Sequence, residues 1–406
     1  MSVEERLIRY CKIDTQSDPY NEEETPSTQK QFDLANVLVD ELKELDLNDV
    51  EVDEHCYVYA KLPSNIDGCT KTIGFIAHMD TAPDFSGKDV KPRIIENFDG
   101  EDITLNEERT IRMDEYPWMK EFKGKRVMVT DGTTLLGADD KAGIASIMEA
   151  IAYLKAHDEI QRPNIAIAFT PDEEIGNGTK YFDVKKFGAE FAYTMDGDTV
   201  RELSDETFNA SSATITIQGV SIHPGSAKNK MVNAALIATE LAQAFPKEMT
   251  PENTEGREGF IHLHAMKGDV DSATLEYIIR DHDIDKLHAM EKRVEDEVNR
   301  INEKYGNRAT VKIKESYHNM KEVLDKNPEA VDIARSVLEE MGLDIVNEPV
   351  RGGTDGAMLS FMGLPCPNLG CGGGNFHGPY EYCVIDELET SIDVIINIVK
   401  KVGELS

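Results

Sequence analysis

The chain has few basic residues, few cysteines and no long apolar run. Its 406 residues include 43 lysines and arginines against 77 aspartates and glutamates, a formal net charge of −34 at pH 7. Such a chain would repel a phosphate backbone, so we expect no nucleic acid partner. The same charge disfavours anionic membrane surfaces, and no stretch approaches the roughly 20 apolar residues needed to span a bilayer.

The cysteine pattern argues against a disulfide-stabilised secreted protein. The six cysteines stand at positions 11, 56, 69, 366, 371 and 383, with no CxxC pair. Free thiols in a reducing compartment fit this pattern. Residues 1–10 have the pattern of an amphipathic helix rather than a signal peptide, so we expect a cytoplasmic protein. A thiolate zinc site built from Cys366, Cys371 and Cys383 is a minor alternative, because its spacing is irregular.

The order of strand and helix patterns changes twice along the chain, which predicts an inserted domain. In residues 1–208, short apolar runs alternate with amphipathic helices, as in an α/β domain with a mainly parallel sheet sandwiched by helices. Residues 209–317 follow the order β-α-β-β-α-β, typical of an α+β ferredoxin-like domain. The α/β pattern returns in residues 318–406, with a strand predicted over 345–350. Residues 18–28 and 86–114 are predicted as polar loops.

Acidic and imidazole side chains stand where the predicted buried strands end, or in loops beside them. They are His78, Asp80, Asp139, Asp140, Asp172, Glu173, Glu174, Asp196 and His377. Ligands of open α/β sheets collect outside the carboxyl ends of the strands, so we expect these groups to converge. Converging carboxylates would repel one another unless cations lay between them. Imidazoles with carboxylates suit two ions of the zinc type better than calcium.

Each of these residues also has a purely structural explanation. Asp139 could be an ordinary helix N-cap, and Asp196 with the glycine after it forms a common turn dipeptide. The segment 172–174 could be a solvated turn, and each histidine could be a hydrogen-bonded or loop residue. The metal site is the favoured hypothesis because all of these places lie at the ends of buried-looking strands or in adjacent loops.

The ordered motifs HMDT, GADDKAG, TPDEEIG, YTMDG and GGGNFHG resemble those of the co-catalytic dinuclear zinc exopeptidases. The resemblance covers nearly the whole chain, including GVSIHPGSAKNKMVNA and EYIIRD in the insert and RGGTDGAMLSFMGLPCPNLG after it. It implies a zinc exopeptidase-like fold in which a catalytic metallopeptidase domain, 1–208 and 318–406, carries a lid or dimerisation domain, 209–317. It also implies two Zn²⁺ per subunit, with Mn²⁺ or Co²⁺ as possible substitutes.

The resemblance assigns a role to each matching residue. The implied ligands are His78 and Asp196 for the first metal, Glu174 and His377 for the second, and Asp139 as the bridge between them. By sequence alone Asp140 is a close rival of Asp139 for the bridging position. Asp80 would hold the imidazole of His78 in the right tautomer. Glu173 would be the general base that activates a metal-bridging water.

Four residues of the insert and the segment after it are candidates for contacting substrate: His223, Asn233, Arg280 and Arg351. The two arginines could clamp the C-terminal carboxylate of a short peptide, because a guanidinium matches a carboxylate bidentately. Arg280 could equally form an ion pair with Asp281 or Asp283. His223 is a candidate oxyanion donor, or a simple His-Pro turn residue. In related architectures this histidine reaches the site from the partner subunit, so the resemblance implies a homodimer through the inserted domains.

The activity implied by the resemblance is that of an aminopeptidase that removes the N-terminal residue from tripeptides. Two enzymatic alternatives share the metal site, a dipeptidase and a deacylase of N-acyl amino acids. A non-catalytic protein that binds metal or peptide is a third hypothesis. Glu173 argues against that hypothesis, because a pure binder needs no further carboxylate beside the ligand Glu174.

Overall fold

The computed structural model describes residues 1–21 and 23–406, which fold as two compact units. The first unit comprises Met1–Asp205, Met320–Glu348 and Thr354–Ser406, and the second comprises Glu206–Asn319 and Pro349–Gly353. The short strip Pro349–Gly353, predicted as part of the last α/β segment, folds with the second unit. It does so because the N–H of Val350 donates to the carbonyl of Glu206 and that of Phe208 to Gly352.

The helices and strands of the described residues follow in chain order. The α-helices are α1 (Val3–Cys11), α2 (Gln31–Glu44), α3 (Ala138–Ala156), α4 (Val184–Phe187), α5 (Ala234–Ala242), α6 (Ile284–Tyr305), α7 (Lys321–Leu324), α8 (Glu329–Glu340), α9 (Asp355–Phe361) and α10 (Ile385–Leu405). Short 3-10 helices lie at Pro117–Phe122, Glu173–Ile175, Pro224–Ser226, Lys247–Met249 and Pro251–Asn253. The strands are β1 (Asn48–Val52), β2 (Val58–Leu62), β3 (Thr72–His78), β4 (Arg93–Ile95), β5 (Ile103–Thr104), β6 (Thr110–Ile111), β7 (Val127–Val129), β8 (Asn164–Thr170), β9 (Phe191–Gly197), β10 (Leu203–Ser204), β11 (Asn209–Gln218), β12 (Phe260–Gly268), β13 (Ser272–Asp281), β14 (Ala309–Tyr317), β15 (Asn368–Gly370), β16 (Gly373–Gly374) and β17 (Tyr382–Val384).

The first unit is built on a seven-stranded sheet in the order β1-β2-β8-β3-β9-β15-β10. The four inner strands β8, β3, β9 and β15 run parallel, and the outer strands β1, β2 and β10 pair antiparallel. The inner strands β3 and β8 are almost entirely buried, as parallel strands covered on both faces must be. The α/β fold is thus confirmed, in the form of a mixed sheet with a parallel centre.

Helix α3 lies between this sheet and α10, and it carries the Asp139 region at its start. It is apolar on nearly every side, as expected of a helix packed between layers. A Cβ at Gly143 would lie 2.2 Å from the carbonyl oxygen of Met195 on β9, so only glycine permits this close approach. The hydroxyls of Ser146 and Ser391 lie 2.6 Å apart where α3 meets α10. A smaller antiparallel sheet, β16-β17-β7-β4, completes the first unit.

The second unit is a four-stranded antiparallel sheet in the order β12-β13-β11-β14, with α5 and α6 packed on it. This order and the succession β-α-β-β-α-β define the ferredoxin-like fold that the alternating pattern predicted. Along β11, buried and exposed residues alternate, because one face of the sheet packs against the helices. Helix α6, Ile284–Tyr305, is the second helix of the predicted β-α-β-β-α-β order.

Two predictions about elements are wrong. Residues 345–350 do not form a strand, but make only single bridges at Val346 and Val350. Pro349 lacks a backbone N–H, and the chain passes between the two units at this point. The predicted loop 86–114 contains the short strands β4, β5 and β6. No helix of the described residues is long and apolar enough to cross a membrane.

Candidate metal centre

His78 stands at the end of β3 and faces carboxylates from two other segments. Its Nε2 lies 2.8 Å from Oδ1 of Asp139 and 3.4 Å from Oδ1 of Asp196. Strand β9 pairs in parallel with β3, which brings Asp196 beside His78. On the other side of the ring, Nδ1 lies 3.1 Å from the carbonyl oxygen of Asp80. Donation from Nδ1 to this carbonyl leaves the lone pair of Nε2 directed toward the carboxylates.

His377 faces the second half of the same pocket. Its Nε2 lies 2.9 Å from Oε2 of Glu174 and 3.2 Å from Oδ2 of Asp139. Glu174 belongs to the 3-10 helix that follows β8, and His377 adopts a positive φ of 63° in its glycine-rich loop. The carboxylate of Asp139 therefore lies between two imidazoles, with Oδ1 toward His78 and Oδ2 toward His377.

Asp80 connects the first half of the pocket to the acidic turn after β8. This fully buried carboxylate accepts the backbone N–H of Glu173 at 3.0 Å and that of Glu174 at 3.2 Å. Its Oδ1 also lies 3.4 Å from Nδ1 of His78. Asp80 thus contacts the imidazole of His78 through its backbone carbonyl and holds the backbone of the two glutamates through its side chain.

The structure brings predicted site residues close enough together to hold a cation. Ligand atoms of His78, Asp139 and Glu174 lie within 4.8 Å of one another, as do those of His78, Glu173 and Asp196. Two ligands of a tetrahedral zinc ion are about 3.4 Å apart, close to the four imidazole–carboxylate distances given above. Oε1 of Glu174 is buried and has no hydrogen-bond partner among the described residues. A buried acceptor in this state fits a cation ligand.

The electrostatics of the pocket show an excess of negative charge. Burial, followed by the charge of Asp139, raises the pKa of Glu174 to about 8. Burial raises the pKa of Asp196 to about 6 although His78 opposes the shift, and burial and Asp196 raise that of Glu173 well above its usual range. Hydrogen bonds to Asp139 and Glu174 raise the pKa of His377 to about 11. Cations in the pocket would relieve this repulsion, because positive charge favours ionised carboxylates.

The geometry also separates the two candidates for the bridging position. Asp140 is 2 % exposed, and its two oxygens accept the backbone N–H groups of His78 and Gly143, each at 3.1 Å. Its carboxylate is therefore engaged by the backbone of β3 and α3. Asp139, in contrast, is directed at both imidazoles. Sequence spacing could not distinguish the two residues because they are adjacent.

Three buried carboxylates support the pocket, and two of them, Glu381 and Asp355, were not among the predicted residues. Glu381 accepts three backbone N–H groups from the loop that carries Asp139. Asp172 accepts the N–H and hydroxyl of Ser27 and an amide N–H of Gln31, and Asp355 accepts the hydroxyl of Thr170 at 2.8 Å. Asp172 and Asp355 lie within the motifs TPDEEIG and RGGTDG, and these motifs could have pointed to both residues. Glu381 had no such signal.

The four candidate substrate residues all lie in the second unit. The side chain of Asn233 caps α5 by accepting the N–H of Leu236. His223 is exposed, and its Nδ1 accepts the N–H of Gly225 at 3.1 Å. Arg280 donates to the carbonyls of Ser211 and Ile279, and its guanidinium lies over the ring of Tyr317.

Arg351 uses its guanidinium within the second unit. It donates to the carbonyls of Gly256 and Glu258 at 2.7 and 2.8 Å, and to the hydroxyl of Thr254 at 2.9 Å. The group also lies over the ring of Phe208. Through these contacts the side chain of Arg351 stabilises the loop 254–258.

Known proteins of one peptidase family resemble this chain in sequence and in fold. The model of peptidase family M20/M25/M40 matches residues 112–401. Among solved structures, an aminopeptidase from Bacillus cereus shares the fold with a TM-score of 0.77 at 23% identity, covering 99% of this chain and 98% of that one. A dinuclear metal-binding peptidase of family M20 from Bacillus subtilis has a TM-score of 0.66 at 14% identity, with the same coverage. The chain belongs to peptidase family M20/M25/M40 and is a peptide hydrolase.

Curated relatives narrow this class. A protein named Peptidase T from Bacillus licheniformis is 51% identical over 399 residues, 98% of this chain and 97% of the relative. Another of that name, from Clostridium acetobutylicum, is 50% identical over 405 residues, 99% of each. The predicted membership of the exopeptidase family is confirmed, and these relatives place the chain in its peptidase T group.

Proposed function

We propose that this peptidase removes the N-terminal residue from tripeptides and that it uses two divalent cations, with zinc as the first choice. The name and high identity of the relatives support the peptide activity. The observation that carries the two-cation proposal is the carboxylate of Asp139, which lies between the imidazoles of His78 and His377.

The proposed ligands divide into two sets that share one residue. His78 and Asp196 would hold one cation, Glu174 and His377 would hold the other, and Asp139 would contact both. When bound, the cations would supply Lewis acidity and lower the pKa of the attacking water.

Glu173 is the proposed general base. Its backbone N–H donates to Asp80, and a carboxylate oxygen lies within 4.8 Å of ligand atoms of His78 and Asp196. The proposed ligand sets leave this carboxylate free to act as the base. It would take a proton from the attacking water and later give that proton to the leaving amine. Asp80 would keep the Nδ1 proton of His78 on the side away from the pocket, so that Nε2 stays available as a ligand.

Substrate recognition is proposed for the second unit. Arg280 is the stronger candidate to bind the C-terminal carboxylate, because among the described residues it donates only through Nη1, to the carbonyls of Ser211 and Ile279. Both terminal nitrogens of Arg351 already hold the loop 254–258. Asn233 is a weaker candidate, since it already caps α5.

His223 would donate to the oxyanion from the partner subunit of a homodimer joined through the second units. Its Nδ1 accepts a backbone N–H, so the neutral ring carries its proton on Nε2, where it can donate.

A length series of unblocked peptides tests the proposed activity. The relatives named Peptidase T support tripeptides as substrates, so dipeptides and pentapeptides should turn over more slowly. Equal turnover of all lengths would contradict a tripeptide specificity. In the same assay, the tripeptide is made to compete with its N-acetylated form. Preference for the acetylated form would favour the deacylase alternative. Preference for dipeptides in the length series would favour the dipeptidase.

A further inference from the structure

Glu381 joins the two loops that carry Asp139 and His377. Glu381 is only 1 % exposed and lies four positions after His377 in the chain. Oε2 accepts the backbone N–H groups of Leu136 at 2.7 Å and Gly137 at 2.8 Å, and Oε1 accepts that of Asp139 at 3.1 Å. A single carboxylate therefore binds three backbone N–H groups at the start of α3.

These three N–H groups have few other possible partners. They lie at the start of α3, where backbone N–H groups lack intrahelical acceptors, and Gly137 has no side chain with which to cap the helix. Leu136 is fully buried, so water cannot replace a lost acceptor there. The two oxygens of a carboxylate can accept all three N–H groups at once. Glu381 thus holds the backbone at Leu136, Gly137 and Asp139.

The two halves of the pocket depend on Glu381 to different degrees. His78 and Asp196 stand on the paired parallel strands β3 and β9, whose ladder fixes them independently. His377 stands in a loop, and its side chain is 47 % exposed. The short strand β17 begins directly after Glu381 and pairs with β7, so Glu381 ties the end of the His377 loop to the Asp139 loop.

We infer that Glu381 is a positioning residue which sets the distance between Asp139 and His377, and thereby the affinity of the cation held by Glu174 and His377. Replacing Glu381 with glutamine weakens that cation more than the cation held by His78 and Asp196, because those two ligands stand on paired strands. This inference rests on the two-cation pocket of the proposed function.

Calorimetric titration of the metal-free protein with Zn²⁺ tests the inference without an activity readout. The wild type takes up two ions. Glu381→Gln keeps the shape of the side chain but places an amide NH₂ among backbone N–H donors. In this variant one ion should bind roughly 10–100-fold more weakly, as is typical when a residue that supports a metal ligand is lost. The affinity for the other ion changes less, because His78 and Asp196 keep their places on the paired strands β3 and β9. Excess Zn²⁺ restores the turnover of this variant, because the fold and the base are intact.

Glu41→Gln is the matched control. Glu41 is also a buried carboxylate, but it contacts Arg6, Arg9 and Tyr10 on α1 and none of the pocket residues. Its loss lowers stability and leaves both zinc affinities unchanged. If Glu381→Gln does not fold, Glu381→Asp, which shortens the reach by one methylene, serves for the same titration.

The possible results separate the two claims. Unchanged zinc binding in the Glu381 variants overturns the inference, and so does an equal loss at both sites. A wild type that binds fewer than two ions contradicts the proposed function instead. Selective loss of one ion, reversed by excess Zn²⁺, supports the role of Glu381.

Discussion

The backbone N–H of Glu173 donates to Oδ1 of Asp80 at 3.0 Å. The backbone carbonyl of the same residue lies 3.1 Å from Nδ1 of His78, so one buried residue positions both the proposed base and a proposed ligand. The side chain of Glu173 remains able to reach into the pocket, where its oxygen lies within 4.8 Å of ligand atoms of His78 and Asp196. This separation of backbone support from side-chain chemistry is what a positioned general base requires.

Replacing Glu173 by glutamine should therefore stop catalysis without emptying the pocket. The amide cannot accept a proton, so kcat should fall by roughly 10²–10⁴ while KM changes little. Steady-state kinetics and metal analysis of the purified variant check this expectation. Glu174→Gln is the matched control: it should lose one cation, because it removes a ligand. Activity retained by Glu173→Gln would show that the base assignment is wrong.

Arg280 and Arg351 should respond differently to the C-terminus of the substrate. A charge-assisted hydrogen bond contributes about 1.5–3 kcal/mol, so the wild type should prefer a tripeptide acid over its amide by roughly 10–100-fold in kcat/KM. Arg280→Ala should abolish this preference, because the carboxylate loses its partner. Arg351→Ala should instead lower the melting temperature, because the loop 254–258 loses three hydrogen bonds.

Comparing the acid and amide peptides on both variants and on Arg280→Lys separates the two roles. The lysine variant keeps the charge but not the bidentate geometry, and an intermediate preference is expected. An Arg280→Ala protein that still discriminates as strongly as the wild type would remove Arg280 from substrate binding.

Mixed dimers test whether His223 acts in the partner's site. His223→Ala should lose roughly 10²–10³ in kcat, as for other oxyanion donors, and Glu173→Gln should also be inactive. In a mixed dimer, the His223→Ala subunit keeps its own Glu173 and receives His223 from its partner. Two differently tagged chains expressed together should therefore recover roughly a quarter of wild-type activity. Co-purified mixed dimers without activity would contradict a role in the partner's site.

The stabilisation by zinc should increase with pH. In the metal-free protein, burial and Asp139 raise the pKa of Glu174 to about 8, and burial raises that of Asp196 to about 6. Both groups hold protons in the folded state that the unfolded chain releases, so the stability of the metal-free protein falls as pH rises between about 4 and 8. Zinc replaces those protons and binds more tightly at high pH.

Melting temperatures with zinc and with chelator, measured at several pH values, check this expectation. The difference between the two should be larger near pH 8 than near pH 5.5. A difference that does not depend on pH would argue that these carboxyls do not exchange protons for a cation.

The sequence was most informative where a residue's surroundings are determined locally. His78 and Glu174 follow apolar runs that could only be buried strands, and such strands direct the residues after them to one edge of the sheet. The insert was predictable because its alternating strands follow a one-sided sheet. The prediction of a strand at 345–350 was wrong because Val346 and Val350 form their bridges in different units. A local sequence pattern does not show to which unit a residue belongs.

Contacts between distant segments could not be predicted. Glu381 binds backbone N–H groups of Leu136, Gly137 and Asp139, and backbone groups carry no sequence signal. Whether Asp139 or Asp140 faces the imidazoles depends on backbone angles at two adjacent residues of the same type. Structural use of Arg351 was likewise hidden, because its partners are carbonyls of a loop about a hundred positions away.

The zinc content of the reconstituted chain tests the central claim most directly. Metal-free protein is loaded with Zn²⁺, freed of excess ion and analysed by mass spectrometry for zinc per chain. The pocket of His78, Asp139, Glu174, Asp196 and His377 predicts two ions for each chain. A protein that retains none, or only one, would contradict the two-cation centre.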